Sequence, residues 1–181
     1  MDPDNIIIEH TKKWITDVVA GCNFCPFAGR ELVRGSIYYK VLENAGTRAV
    51  LEAVVAAMQQ LDEEPSIETT LLILPGSFEN FDEYLDLVED AEALLEKEGY
   101  EGIYQLASFH PRYLFAGSAE SDASNYTNRS PYPMLHFLRE ESVSKAVDGY
   151  PGIEEVPDRN IQFAHEKGLL YMQQLLANCI K

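Results

Sequence analysis

The sequence predicts an α/β protein with a small, largely parallel sheet covered by helices. Three short runs rich in apolar and β-branched residues alternate with two long amphipathic runs, which gives a β-α-β-α-β core. Strand–helix–strand connections are right-handed and place neighbouring strands parallel, so this order of elements predicts the parallel sheet. An N-terminal helix and two C-terminal helices flank the core and are expected to cover the rest of it.

Length and charge limit the classes of function. The 181 residues are expected to form a single domain, residues 1–181. Fourteen Lys and Arg against 30 Asp and Glu give a net charge of −16. This charge repels phosphate backbones and anionic lipid, so we expect no nucleic-acid partner and no membrane partner. An acidic N-terminus without a secretory signal, together with three cysteines, too few for a disulfide framework, indicates the cytoplasm.

The first half of the chain alternates helix and strand. Apolar residues at helical spacing predict a helix over residues 4–21, and proline and glycine predict a loop or short irregular segment over 22–35. Residues 36–42 are β-branched and aromatic, as in a strand. A second amphipathic helix covers residues 51–61, and the nearly all-apolar run 69–75 predicts a strand buried on both faces.

The second half continues this alternation and then becomes helical. Residues 81–95 predict a long helix, with Gly99 at the position of a left-handed cap, and residues 102–110 predict the third strand. Ser130 followed by Pro131 predicts an N-cap and first helical position, for a helix that ends near Gly149. The last helix is expected to begin near Asp158.

His110 and Arg112 follow the third predicted strand. Ligands of open α/β sheets bind at the carboxyl ends of the strands, so this position favours a functional role. An imidazole with an ordinary pKa near neutrality can serve as acid, base or ligand. The alternative is a histidine that only fixes the loop by bonding a backbone carbonyl.

A cluster of hydrogen-bonding residues precedes the predicted helix start at Ser130. Free N–H groups of a first turn, the helix dipole and the guanidinium of Arg129 would together hold a carboxylate or phosphate. The alternative is a set of ordinary turn and cap residues, but arginines are concentrated here in an otherwise acidic chain. The predicted substrate-binding residues are Arg112, Asn125, Asn128, Arg129, Ser130 and Arg139.

On the predicted helix, His136, Arg139 and Glu140 would share one face, because they are spaced at i, i+3 and i+4. Glu140 could then orient His136 as a base, or both could bind a metal. A row of surface ion pairs is the ordinary alternative.

Cys22 and Cys25 form a CxxC motif, a spacing typical of zinc sites and of thiol–disulfide exchange. The sequence has no second CxxC, and the remaining histidines are scattered. A thiol buried for packing alone is the alternative.

Four segments resemble the domain-of-unknown-function 1415 family: GCNFCPFA (21–28), ETTLLILP (68–75), LASFHPRYLFAG (106–117) and NYTNRSPYPMLHFLREESV (125–143). The resemblance runs from about Thr11 to Gly168. It implies a single cytoplasmic domain but no mechanism, because the family has no established activity. Cys25 matches the family pattern N-L-C-P-F-A and Cys22 departs from it, which favours Cys25 acting alone. The other residues at matching positions are His110, Arg112, Asn125, Asn128, Arg129, Pro131, His136 and Arg139.

The first hypothesis is therefore an enzyme that acts on a small anionic metabolite bearing a carboxylate or phosphate. Arg129 and the helix start would hold the anion, His110 would move a proton, and Cys25 would be the nucleophile if its thiolate is accessible. This hypothesis expects Cys25, His110 and Arg129 in one pocket. The predicted catalytic residues are Cys25, His110 and His136.

There are two other hypotheses. In one, a metal held by Cys25, His110, His136 or Glu140 activates water in a hydrolase-like site. In the other, the protein is a non-enzymatic interaction module whose acidic surface binds a basic protein or peptide. The residues specify no cofactor and no oligomeric state.

Overall fold

The computed structural model describes residues 3–181, which form a mixed four-stranded sheet with helices packed on both faces. The strands are β1 (Ile37–Val41), β2 (Thr69–Ile73), β3 (Tyr104–Phe109) and β4 (Met134–Arg139). Their order across the sheet is β1-β2-β4-β3. β1 pairs with β2 in parallel, whereas β4 pairs antiparallel with both β2 and β3.

The helices surround this sheet. They are α1 (Pro3–Trp14), α2 (Ala28–Arg34), α3 (Thr47–Glu63), α4 (Phe81–Lys97), α5 (Glu140–Asp148), α6 (Val156–Lys167) and α7 (Leu169–Asn178). α1 continues without a break into a π-helix, Ile15–Ala20. Short 3₁₀ turns lie at Ala123–Thr127 and Ile153–Glu155.

The prediction of an α/β protein is confirmed, but the sheet is not largely parallel. β1, α3, β2, α4 and β3 follow one another in the predicted order. Over residues 3–181, however, one pair of neighbouring strands is parallel and two pairs are antiparallel, because β4 lies between β2 and β3.

The helix predicted from Ser130 to Gly149 is wrong in its first half. Residues 134–139 form β4, and α5 begins only at Glu140. Both faces of this strand are covered by helices, so its apolar residues are nearly continuous and their pattern does not distinguish a strand from a helix. The Ser130 hydroxyl donates to the carbonyl of Tyr132 at 2.6 Å, which closes a turn and caps no helix.

The structure differs from two further predictions in detail. The segment 22–35, predicted as a loop or irregular, contains the short helix α2. The last predicted helix is divided into α6 and α7 at Gly168, whose φ of 83° is a left-handed value that favours glycine. Gly99 has a φ of 82°, which confirms the predicted left-handed cap after α4.

The two faces of the sheet carry separate cores. On one face, α3 and α4 pack against Leu72, Leu135 and Phe137. On the other face, the N-terminal helix and the two last helices pack around Ile73 and Met134. Every residue of β2 is buried, which confirms the prediction of a strand covered on both sides.

Arg139 connects β4 to the end of α3. Its guanidinium donates to the carbonyl of Leu61 at 2.6 Å, to that of Ile67 at 2.9 Å and to that of Glu64 at 3.3 Å. The last carbonyls of a helix lack intrahelical partners and carry partial negative charge, so a cation stabilises them. Arg139 therefore stabilises the fold by holding α3 against the sheet.

Replacing Arg139 by Met should lower the free energy of unfolding by about 2–3 kcal/mol, because hydrogen bonds to a charged group are lost and helix-end carbonyls are left without partners. Urea unfolding followed by circular dichroism measures this change. Arg48→Met is the matched control, since the Arg48 side chain is 94% exposed and pairs with Glu52 on the surface of α3. The control should change the free energy by less than about 0.5 kcal/mol. Equal effects of the two substitutions would contradict the role given to Arg139.

Candidate functional site

A cavity of about 290 Å³ lies between one face of the sheet and the helices that cover it. Its floor is formed by side chains that alternate along three strands: Thr69, Leu71, Gln105, Ala107, His136 and Leu138. The π-helix, α2 and α5 close it from above with Ile15, Val19, Phe27, Ala28, Val143 and Ala146. The walls are thus mainly aliphatic and aromatic, as in sites that bind small molecules.

Cys25 lines this cavity from the turn between the π-helix and α2. The backbone N–H groups of Phe24 and Cys25 both donate to the carbonyl of Val19, at 2.9 and 3.3 Å. Gly21 permits this tight turn, because a Cβ there would collide with the carbonyl oxygen of Asp17. Asn23 adopts a left-handed φ of 55°, which asparagine tolerates better than most residues. The GCNFC segment therefore holds Cys25 at the wall of the cavity.

His136 lies on the central strand β4, opposite Leu71 on one side and Ala107 on the other. Its Nε2 lies 2.5 Å from the hydroxyl of Thr69, and that hydroxyl donates to the carbonyl of Phe137 at 2.6 Å. A hydroxyl has one proton, so Thr69 must accept from the imidazole. The proton of neutral His136 is therefore on Nε2, and Nδ1 is left as an acceptor.

The pKa of His136 agrees with a neutral imidazole. Burial lowers the pKa of His136 to about 4, because the imidazolium loses its hydration in the apolar surroundings. The ring is thus neutral near pH 7. Nδ1 has no hydrogen-bond partner within residues 3–181. A neutral imidazole with a free acceptor can take a proton from a group in the cavity.

His110 has a structural role in the loop after β3. Its Nε2 donates to the carbonyl of Phe78 at 2.8 Å, and its Nδ1 accepts from the N–H of Arg112 at 2.9 Å. The buried ring packs between Phe81 and Tyr84, and burial lowers its pKa. Both ring nitrogens are bonded to backbone, so the structure matches the loop-fixing alternative. The side chain of Arg112 is exposed.

Arg129 is buried and binds backbone rather than an open anion site. Its guanidinium donates to the carbonyls of Tyr113 at 3.1 Å and Glu120 at 3.2 Å, and it lies over the ring of Tyr126 at 4.6 Å. Its own carbonyl accepts from the indole N–H of Trp14 at 3.1 Å. With β4 in place of the helix predicted after Ser130, the expected cradle of first-turn N–H groups is not formed there.

The two predicted asparagines bond the same irregular segment. Asn125 is buried; its side chain accepts from the N–H of Phe115 at 3.0 Å and donates to the carbonyl of Ala119 at 2.9 Å. The amide of Asn128 donates to the carbonyl of Ser108 at 3.3 Å. These contacts fix the loop between β3 and β4.

The structure thus brings Cys25 and His136 to one cavity and places His110 and Arg129 outside its lining. Arg139 borders the cavity, but its guanidinium is bonded to carbonyls at the end of α3. His136 and Arg139 lie on β4, on opposite faces of the sheet because they are three residues apart, and Glu140 begins α5. The three residues therefore do not share the helical face that was predicted.

Six polar or charged lining residues were not predicted: Arg30, Glu31, Glu68, Thr69, Gln105 and Ser142. Thr69 carries the one available signal, since it is a polar residue at the start of a buried strand. Nothing in the local pattern distinguishes Gln105 or Ser142 from ordinary surface residues. Their positions follow from the pairing of β3 with β4 and from the start of α5 directly after β4.

The metal hypothesis requires several ligand side chains at one place in the structure. Cys22, Cys25 and Cys179 are free thiols, and Cys22 lies outside the lining of the cavity. Across residues 3–181, no group of three or more His, Cys, Asp or Glu side chains is placed to hold a metal ion. The described residues therefore offer no preformed metal site.

Fold and cavity together define a mixed α/β protein with a thiol and an imidazole in one largely apolar cavity. The family model described as "Protein of unknown function (DUF1415)" matches residues 6–174, and the chain belongs to this family. No curated protein and no solved structure matches the chain. No helix among residues 3–181 combines the length and apolar character needed to cross a membrane.

The stability of the protein should fall between about pH 6.5 and pH 4 because of His136. The folded-state pKa, about 4, lies below the ordinary value of 6.5, so the unfolded chain binds more protons in this range. The contribution of neutral His136 to the free energy of unfolding is on the order of 3 kcal/mol. It is fully present above pH 6.5 and is lost as the pH falls towards 4. Urea unfolding at several pH values measures it.

His136→Gln keeps a donor for Thr69 and removes the titration, so its unfolding free energy should depend less on pH than that of the wild type. His165→Gln is the control, because the His165 side chain is 53% exposed on α6. Parallel pH profiles of the wild type and His136→Gln would show that His136 is not buried in its neutral form.

Proposed function

We propose that this protein is a cytoplasmic enzyme that acts on a small, largely apolar molecule, with Cys25 as nucleophile and His136 as general base. The observation that carries the proposal is the cavity itself, which is lined by Cys25, a free cysteine, and by His136, whose Nδ1 has no partner within residues 3–181. A nucleophile and a base that line the same concave, apolar site are the arrangement that covalent catalysis requires.

The proton path follows from the tautomer of His136. As Sγ of Cys25 forms a bond to an electrophilic carbon such as a carbonyl carbon, the thiol proton passes to Nδ1, and the carbonyl π electrons move to its oxygen. Collapse of this adduct expels the leaving group, which takes the proton back from Nδ1. Water then attacks the thioester and loses its proton to Nδ1. Collapse of this second adduct releases the acid and expels the Cys25 thiolate, which takes the proton back from Nδ1.

Burial sets the timing of the proton transfer. Because the surroundings disfavour the imidazolium, a resting ion pair between a Cys25 thiolate and a protonated His136 is not stable. The proton therefore moves while the new bond forms, as in general-base catalysis. Thr69 holds the ring orientation throughout, through its contact with Nε2.

An anionic group on the substrate would lie at the edge of the cavity rather than inside it. The guanidinium groups of Arg129 and Arg139 are occupied by backbone carbonyls. Arg30 lines the cavity with a side chain that is 52% exposed, and it contacts Glu31 at 2.6 Å. We therefore place any carboxylate or phosphate near Arg30, on a part of the substrate that stays outside the cavity, and the part inside the cavity is uncharged.

A second candidate is a protein that binds an apolar molecule without covalent chemistry. The predominance of aliphatic and aromatic walls favours it. The two candidates differ in whether Cys25 reacts.

Cys25 should react with N-phenylmaleimide faster than the other two cysteines of the folded protein. Burial raises the pKa of Cys22, and it raises that of Cys179 to about 11, so their reactive thiolates are scarce. In His136→Gln, the alkylation of Cys25 should slow by about 10-fold or more, because the base is lost. Intact-mass spectrometry and peptide mapping over time measure both rates.

The control is Cys22→Ser, which should leave the rate at Cys25 unchanged because Cys22 lies outside the cavity. Equal rates at Cys22 and Cys25 in the folded protein, or an unchanged rate in His136→Gln, would refute the enzymatic proposal and leave the binding protein as the better description.

A further inference from the structure

The size of the cavity limits the body of its ligand. A cavity of about 150 Å³ lined by aliphatic and aromatic side chains holds one benzene molecule. The cavity between the sheet and the helices that cover it measures about 290 Å³, so it has room for roughly two fused rings. Trp14, Phe27 and Phe109 contribute aromatic surface to its walls. A flat apolar body of two rings matches both the volume and the walls.

On the floor of the cavity, Thr69 and His136 specify the kind of polar group that can lie beside them. The hydroxyl of Thr69 is fully used, because it donates to the carbonyl of Phe137 and accepts from Nε2 of His136. The imidazole therefore offers a lone pair on Nδ1 and no proton. A ligand group that meets this atom must donate a hydrogen bond, which a hydroxyl or an N–H can do and an ether or carbonyl oxygen cannot.

The charge of that group also follows. A carboxylate on the ligand has no proton to donate and would face the Nδ1 lone pair, while the apolar walls disfavour any ion that lacks a partner. The low pKa of His136 keeps the ring from becoming a cation that would attract an anion. Glu31 is already bonded to Arg30 and Ser36, so of the two acids in the lining only Glu68 could receive a ligand cation, and the ammonium probe tests this.

We propose that the cavity binds a small uncharged molecule with a body of about two rings and a single hydroxyl or N–H group, which donates to Nδ1 of His136. This inference rests on the cavity of the proposed function: in the reaction proposed above, a molecule whose hydroxyl or N–H donates to Nδ1 is the leaving group after it has taken the proton back, so the class named is that of the released product.

The test compares four probes that share one ring system: 2-naphthol, 2-methoxynaphthalene, 2-naphthoate and 2-naphthylmethylammonium. Fluorescence titration of the full-length protein at pH 7 measures their dissociation constants. 2-Naphthol should bind about 3- to 10-fold more tightly than its methyl ether, which is the effect of one hydrogen bond. Both ions should bind more weakly than 2-naphthol. Tighter binding of either ion, or no binding of 2-naphthol, would overturn the proposal.

A variant and a second measurement test the role of Nδ1. His136→Phe keeps a planar ring but has no acceptor, so the preference for 2-naphthol over its ether should disappear. Nitrogen NMR of histidine in the wild-type protein gives the answer even if this variant does not fold. The signal of unprotonated Nδ1 should shift with 2-naphthol and stay in place with the ether. Equal responses to both probes would contradict the inference.

Cys25→Ala separates this inference from the proposed function. The variant cannot be alkylated at this position, yet it should keep the preference for 2-naphthol. Binding with that preference together with an unreactive Cys25 in the wild type would refute the enzyme and support the ligand class. A reactive Cys25 without the preference would refute the ligand class and support the enzyme.

Discussion

The position of β4 between β2 and β3 is the constraint on which the rest of the site depends. It places His136 at the centre of the sheet, within reach of Thr69 on β2. Opposite His136 on β3 stands Ala107, whose small side chain leaves space above the sheet. β4 also leads directly into α5, which closes the cavity. β4 therefore carries His136, places its ring beside Thr69 and leads into α5, the helix that covers the cavity.

Two of the three arginines that suggested an anion site, Arg129 and Arg139, bond the backbone instead. The segment between β3 and β4 is mostly irregular, so many of its carbonyl groups have no partner in a helix or sheet, and buried carbonyls must be bonded. Arg129 supplies donors there, and Arg139 does the same at the end of α3. A guanidinium suits this purpose because it has several donors in a fixed geometry. Concentration of arginines in an acidic chain thus reflects irregular backbone as readily as an anionic ligand.

The sequence predicted the elements whose periodicity is distinct: α1, α3, α4 and the strands β1, β2 and β3. It failed at β4, because MLHFLR has apolar residues on both faces and lies after a serine–proline pair typical of a helix start. Cys25 and His136 were both predicted as catalytic candidates, but that they line one cavity depends on strand order. The spacing of residues along the chain contains no information on strand order. The GCNFC turn, in contrast, could be recognised from Gly21 and Asn23.

The central claim is that Cys25 and Nδ1 of His136 face the same enclosed space. A crystal structure of the protein after alkylation of Cys25 with N-phenylmaleimide tests it most directly. We expect the phenyl ring to lie between the sheet and α5, in contact with the imidazole of His136. An adduct that extends into solvent, with the space beneath α5 filled by protein side chains, would contradict the account.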